Sequence, residues 1–257
     1  MSAGTQKEDR NPVDQQTKAA LKKDKFVTTT SHGLEWASEN RRSVIVTTTI
    51  LLVVIVAAVL GGVIYNNRAN AAMVAFGAAM QTYETPLAEP GQAVPPGVLT
   101  FPSIAERAKA ANAQFGDIVK RYGMTPSGKN ARYFAGLTYI DEGNNQAAED
   151  TLKKVASGWD KNLAALAKLA LAQLYHDTGR DPQAIDLYNQ LAAKPAVTVP
   201  AGLAKLQLAA VYQAEGRADQ AKKIYADLKQ DDPKGPAATI AAEKLNPAPP
   251  QARPPQE

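Results

Sequence analysis

Cysteine is absent from this 257-residue chain, which excludes disulfides, thiolate metal centres and cysteine-linked lipid anchors. Histidine is almost as scarce. Only His32 and His176 are present, too few for a histidine metal site or a catalytic triad, and His176 reads as a helix-terminal or groove-lining residue. Aromatic residues make up 6% of the chain, and Lys+Arg exceed Asp+Glu by only four. The basic residues are dispersed and nowhere interleave with aromatics, so no nucleic-acid-binding stripe is present. The glycines form neither a G-x-G-x-x-G cluster nor a phosphate loop, which removes the usual nucleotide cofactors. Asp141, Glu142, Asp177, Asp181 and Glu215 gather at expected helix ends and turns, where solvation and capping place carboxylates in any helical protein. No pair of them is expected to face another across a cleft, as glycoside hydrolysis requires. The expectation is a chain with no catalytic residues, no metal, no cofactor and no small-molecule substrate.

One long apolar run is present: Ser43 to Tyr65 is a charge-free stretch of 23 residues, flanked by Arg41-Arg42 and Asn66-Asn67-Arg68. As a helix it extends roughly 34 Å, enough to cross a hydrocarbon core of about 30 Å. It exceeds the ~7 to 15 residues of a signal-peptide apolar region, and the segment before it is too long for a leader. Lys7, Arg10, Lys18, Lys22, Lys23, Lys25, Arg41 and Arg42 precede it, whereas Arg68 is the one basic residue between Asn66 and Glu106. That bias places the N-terminus in the cytoplasm. Ala57 with Gly61, and Ala58 with Gly62, form two small-xxx-small pairs that permit close packing against another membrane helix. Thr47 to Thr49 are expected to return their hydroxyls to the backbone.

The rest divides by composition. Residues 1–42 form a polar, mostly disordered tail, ending in LEWASENRR with Trp36 suited to headgroup depth. Residues 66–84 continue the helix outward, with Met73, Phe76, Met80 and Tyr83 spaced to share a face. Residues 85–103 contain Pro86, Pro90, Pro95, Pro96 and Pro102 and form a long connection. Residues 104–245 are rich in alanine and leucine at helical spacing, with no strand-like alternation, so the domain is all-α. Residues 246–257 are a proline-rich tail.

Self-comparison of the helical part shows a repeat. AGLTYIDEGNNQAAEDTL from Ala135 aligns with LAQLYHDTGRDPQAIDLY from Leu171 and LAAVYQAEGRADQAKKIY from Leu208, at spacings of 36 and 37 residues. Small residues (Gly136, Ala172, Ala209), tyrosines (Tyr139, Tyr175, Tyr212), turn glycines (Gly143, Gly179, Gly216) and alanines (Ala148, Ala184, Ala221) coincide. Leu152, Tyr188 and Tyr225 follow. This is the logic of a helix hairpin: small residues allow close approach, an aromatic fills the gap beside them, and glycine makes the left-handed turn. The pattern resembles the tetratricopeptide repeat, with Pro233 at the family's closing-proline position, although the first helix lacks the family's Trp and Asp160 stands at a proline position. Ala111, Phe115 and Ile118 look like the second helix of a further, divergent unit whose first helix is Met73 to Tyr83. The fold class is thus an all-α tetratricopeptide-like helix-hairpin solenoid with one N-terminal transmembrane helix.

Stacked hairpins leave the first helix of each pair lining a concave face. In the second and third copies that face includes Leu166, Leu169, Gln173 and His176, then Leu203, Leu206, Ala210 and Gln213, which are the candidate partner-binding residues. Apolar with a few amides, it suits a peptide segment better than a charged terminus.

The order of parts, a leader ending LEWASENRR, one span, a helical extension, a break carrying FPSIAERAKAANAQF and then the repeats, resembles the YfgM family of ancillary SecYEG translocon subunits. The resemblance implies a bacterial inner-membrane protein with periplasmic repeats. Its implied partners are translocon subunits, a membrane-anchored periplasmic chaperone and secretory clients. A scaffold for envelope biogenesis or division is the competing expectation.

Overall fold

The computed structural model describes residues 40–88, 91, 97 and 99–246. His32, Trp36 and both expected tails, apart from residues 40–42 and 246, lie outside the described residues. Among the described residues there are nine helices and no strand: α1 (Arg41–Glu84), α2 (Ile104–Tyr122), α3 (Pro126–Asp141), α4 (Asn145–Ala156), α5 (Lys161–Asp177), α6 (Asp181–Ala193), α7 (Ala201–Ala214), α8 (Ala218–Asp231) and α9 (Pro236–Leu245). The all-α hairpin fold expected from the repeat is what forms.

Two compact units divide the chain, the first ending at Ile64 and the second starting at Tyr65. In the first, α1 buries none of its apolar window, and Thr47 and Thr49 donate their hydroxyls to the Ser43 and Ile45 carbonyls at 2.8 Å. A helix is favoured there because its backbone groups are satisfied internally, the condition a lipid core imposes.

The second unit stacks helix hairpins whose starts are written in the sequence. Ser103, Thr125, Asn144 and Asp160 cap α2, α3, α4 and α5 by accepting backbone N–H groups with their side chains, and Pro126 pre-sets the first turn of α3. Their ends are equally local. At the turn after α5, Gly179 adopts φ +71°, its N–H donates to the His176 carbonyl, and the Arg180 N–H donates to the Tyr175 carbonyl at 2.7 Å. The same paired bonds recur at Gly143 and Gly216, so one C-terminal cap is used three times. Gly179→Ala forces a side chain into the left-handed region and is expected to lower stability by ~1 kcal/mol, read as a shift in the urea midpoint with an unchanged slope.

Packing follows the repeat positions. Ala148, Ala184 and Ala221 are wholly buried, as are Leu152, Tyr188 and Tyr225 to within 2%. Gly136 sits where a Cβ would lie 2.7 Å from the Leu152 Cγ and Cδ2, so glycine is what lets α3 meet α4. The main core runs from Leu152 through Leu171, Tyr188 and Val199 to Val211.

A second cluster joins the C-terminal part of α1 to α2 and α3. Phe115 lies 5.8 Å from Phe76, 6.3 Å from Tyr83 and 5.5 Å from Phe134, ring centroid to centroid. Phe76, Met80 and Tyr83 thus pack against the cluster that holds Phe115, but Met73 does not join them and is 62% exposed. The buried stripe of α1 is centred on Ala72 and Ala79, seven residues and two turns apart, and Met73 is rotated about 100° away from it. The connection from residue 85 is closed at its base, where Leu87 and Phe101 form an isolated bridge, the Ala88 N–H donates to the Phe101 carbonyl at 2.8 Å, and Arg107 donates to the Thr85 carbonyl.

Candidate partner-binding surface

The eight candidate residues fall on α5 and α7, the first helices of the second and third hairpins. Leu166, Leu169 and Leu203 are half-buried against the main core, and Leu206 is half-buried against a terminal cluster built on Ala209, Tyr225, Leu228 and Ala241. Gln173, Ala210 and Gln213 are exposed and His176 is half-buried. The leucines therefore divide their surface between core and solvent, because each lies at the margin of its helix's buried stripe.

The amides are partly engaged within the fold. Gln173 accepts from the Tyr188 hydroxyl at 3.4 Å and donates to Asp177 at 2.8 Å, while Gln213 accepts from the Tyr225 hydroxyl at 3.2 Å. Each glutamine thus ties a first helix to its hairpin partner. Burial pushes the Tyr188 hydroxyl up to about 12, so it remains a donor at any physiological pH. His176 bridges its own turn, its Nδ1 lying 2.5 Å from Asp181 Oδ1 at the start of α6.

Leu203 and Leu206 come together in a recess of about 410 Å³ bounded by α7, α8 and α9, with Leu228, Ala237 and Ile240 opposite and Lys205 bonded to Asp231 at 2.6 Å. Sequence reasoning reached its α7 wall only. The α9 wall was missed because α9 lies beyond the last complete repeat. Its signal was Gly235-Pro236 opening an alanine-rich stretch.

A polar junction between hairpins was also missed. Glu149 of α4 is only 8% exposed and accepts from Lys153 at 2.6 Å, Arg180 at 2.7 Å and the Tyr175 hydroxyl at 3.1 Å. Those bonds, Lys153 first and Arg180 next, hold its carboxyl down to about 2. Arg180 also lies 4.4 Å over the Tyr175 ring, and Arg217 lies 4.3 Å over Tyr212 one repeat later. The first copy has Asn144 at this position, where it caps α4 instead.

The repeated hairpin, with its tyrosine, left-handed glycine and buried alanine, agrees with a family model described as a tetratricopeptide repeat-like domain, which matches residues 35–195. The chain belongs to that family. No curated protein and no solved structure matches it. The family match ends before α7, so the third tetratricopeptide-like hairpin is carried by the repeat residues Ala209, Tyr212, Gly216, Ala221 and Tyr225 in the same structural places. Tetratricopeptide-like stacks are protein-interaction modules, and a protein partner is the general functional conclusion.

In the first unit, Ala57, Ala58, Gly61 and Gly62 are all exposed, and a Cβ built on either glycine meets nothing within 4 Å. α1 is the one helix among the described residues that is long and apolar enough to cross a membrane, and none of its apolar window is buried.

Proposed function

We propose that this is a single-pass membrane protein, N-terminus in the cytoplasm, whose tetratricopeptide-like domain binds proteins in the periplasm as an ancillary subunit of the secretion translocon, without catalysis. The observation that carries it is the joining of one unburied apolar helix to a stack of interaction hairpins. An anchored module needs little intrinsic affinity, because tethering raises its effective concentration beside the channel exit and brief apolar contacts then suffice to pass a client to a chaperone. The half-buried leucines of α5 and α7 and the recess reached by Leu203 and Leu206 are the surface we assign to that contact. The small residues Ala57, Ala58, Gly61 and Gly62 are assigned to packing against a channel helix.

Photo-crosslinking in native membranes from position 206 and from position 58, read by mass spectrometry, is the direct test. Channel subunits from position 58 with nascent chains or a chaperone from position 206 are expected. Reproducible capture of division or cell-wall proteins instead would replace the translocon with an envelope scaffold. Leu169→Glu with Leu206→Glu, in the full chain, is expected to abolish suppression of client aggregation while the helical signal in circular dichroism stays unchanged. Retained folding together with retained suppression would remove these leucines from the binding surface.

A further inference from the structure

We propose that one edge of the repeat unit is a lipid-binding surface that docks on an anionic bilayer through the loops α2–α3, α4–α5 and α6–α7. This rests on the reading of α1 as a membrane span.

Three observations converge. The first concerns where the chain enters the repeat unit. Arg68, four residues past Ile64, donates to the Arg121 carbonyl at 2.6 Å, in the last turn of α2. The chain therefore enters the repeat unit at the edge where α2 ends and α3 begins. Because successive helices are antiparallel, the α4–α5 and α6–α7 loops emerge at that same edge. A recess of about 160 Å³ has both Gly123 and Trp159 in its wall, and the Thr198 hydroxyl of the third loop donates to the Asn162 carbonyl at 2.8 Å.

The second observation is what those loops present. Each carries one large apolar residue turned to solvent: Met124 at 87% exposure, Trp159 at 81% and Val197 at 88%. No folding reason explains all three. Two of the glycine turns at the other ends of the hairpins carry ion pairs instead, Arg180–Glu149 and Arg217–Glu215. The exposed Leu99 and Ile104 belong to the 85–104 segment, outside the hairpin turns.

The third is charge. The Lys129 Nζ stands 4.0 Å over the Trp159 ring, Lys154 lines the same recess, and Lys161 opens α5. None of the three has an ion-pair partner among the described residues. Of the acids on this edge, Asp160 accepts from the backbone N–H groups of Asn162 and Leu163, Asp117 pairs with Arg121 and Asp231 pairs with Lys205. An aromatic tip flanked by unpaired lysines is the chemistry of an interfacial anchor: indole settles at headgroup depth while the ammonium groups meet lipid phosphates.

The chain holds two tryptophans, so Trp36→Phe leaves Trp159 as the sole reporter. The full-length W36F protein is reconstituted into phosphatidylcholine vesicles with and without phosphatidylglycerol, using lipids brominated near the headgroup. Trp159 emission is expected to shift to the blue and to be quenched when phosphatidylglycerol is present. Lys129→Glu, Lys154→Glu and Lys161→Glu together are expected to return both signals to the phosphatidylcholine level without changing the thermal midpoint. Emission identical in brominated and ordinary vesicles, or quenching indifferent to phosphatidylglycerol and to the triple substitution, overturns the proposal. So does a crosslink from position 159 to a protein in native membranes without quenching in protein-free vesicles. Alkaline extraction reports the span separately: retention without quenching overturns the lipid edge alone, and quenching with extraction overturns the span alone.

Discussion

Phe115→Ala is expected to destabilise the N-terminal end of the solenoid by about 3–5 kcal/mol, the usual loss for a fully buried aromatic. Phe115 has no exposed surface and stands among Phe76, Tyr83 and Phe134. Truncation removes contacts from both α1 and α3 at once. Hydrogen exchange should show residues 65–84 and α2 losing protection while α7 and α8 keep theirs, because in a stack each hairpin touches only its neighbours and loss stays local. Uniform loss of protection along the chain would contradict that linear arrangement. The same cluster governs how the protein should be cut for experiments. A fragment beginning at Ile104 strips Phe115 and Phe134 of Phe76 and Tyr83, and one beginning at Tyr65 keeps them.

Glu149→Ala is the second large effect, with an expected loss of about 2 kcal/mol, the scale of charged hydrogen bonds at a buried site. It leaves Arg180, Lys153 and the Tyr175 hydroxyl without their common acceptor. The pH dependence gives a finer signature. The carboxyl is held near 2 in the folded chain against an ordinary value of 4.5, so the unfolded chain takes up the proton first as pH falls. The stabilisation is complete above about pH 5 and is lost progressively between about pH 4.5 and pH 2. Glu149→Gln keeps the shape, removes the titration and is expected to flatten that part of the curve. A wild-type midpoint that does not change between pH 5 and pH 3 more steeply than the Gln variant would show that Glu149 is not tied as described.

How much of this was legible depends on the range of the interaction. Tyr175, Gly179 and Ala184 lie within ten positions of one another, and the hairpin they build is closed by bonds between near neighbours, Gly179 to His176 and Arg180 to Tyr175. A pattern of that range can be read from the chain directly. The face of α1 was harder. Met73 and Ala72 are adjacent, both fit a helical period through Phe76, and only the approach of α2 selects Ala72 for the interior and leaves Met73 outside. Glu149 was unreadable for a related reason, since its partners Tyr175 and Arg180 are 26 and 31 residues away and belong to the next hairpin. For the candidate groove, helical spacing identified the first-helix face of α5 and α7. It could not say that Leu203 and Leu206 share a recess with α9 while Leu166 and Leu169 lean on the main core.

The amino-acid sequence by itself determined the class of the molecule. A 23-residue uncharged run sets a helix able to cross a bilayer, and repeats 36 and 37 residues apart set the hairpins, because both signals are periodic and local and need no knowledge of what lies opposite. Tertiary structure decided which edge of the stack carries Met124, Trp159 and Val197, which carboxylate is buried, and which leucines remain half open. Those outcomes depend on side chains from different hairpins meeting in space, and nothing in the spacing along the chain encodes which surface a neighbouring helix will cover.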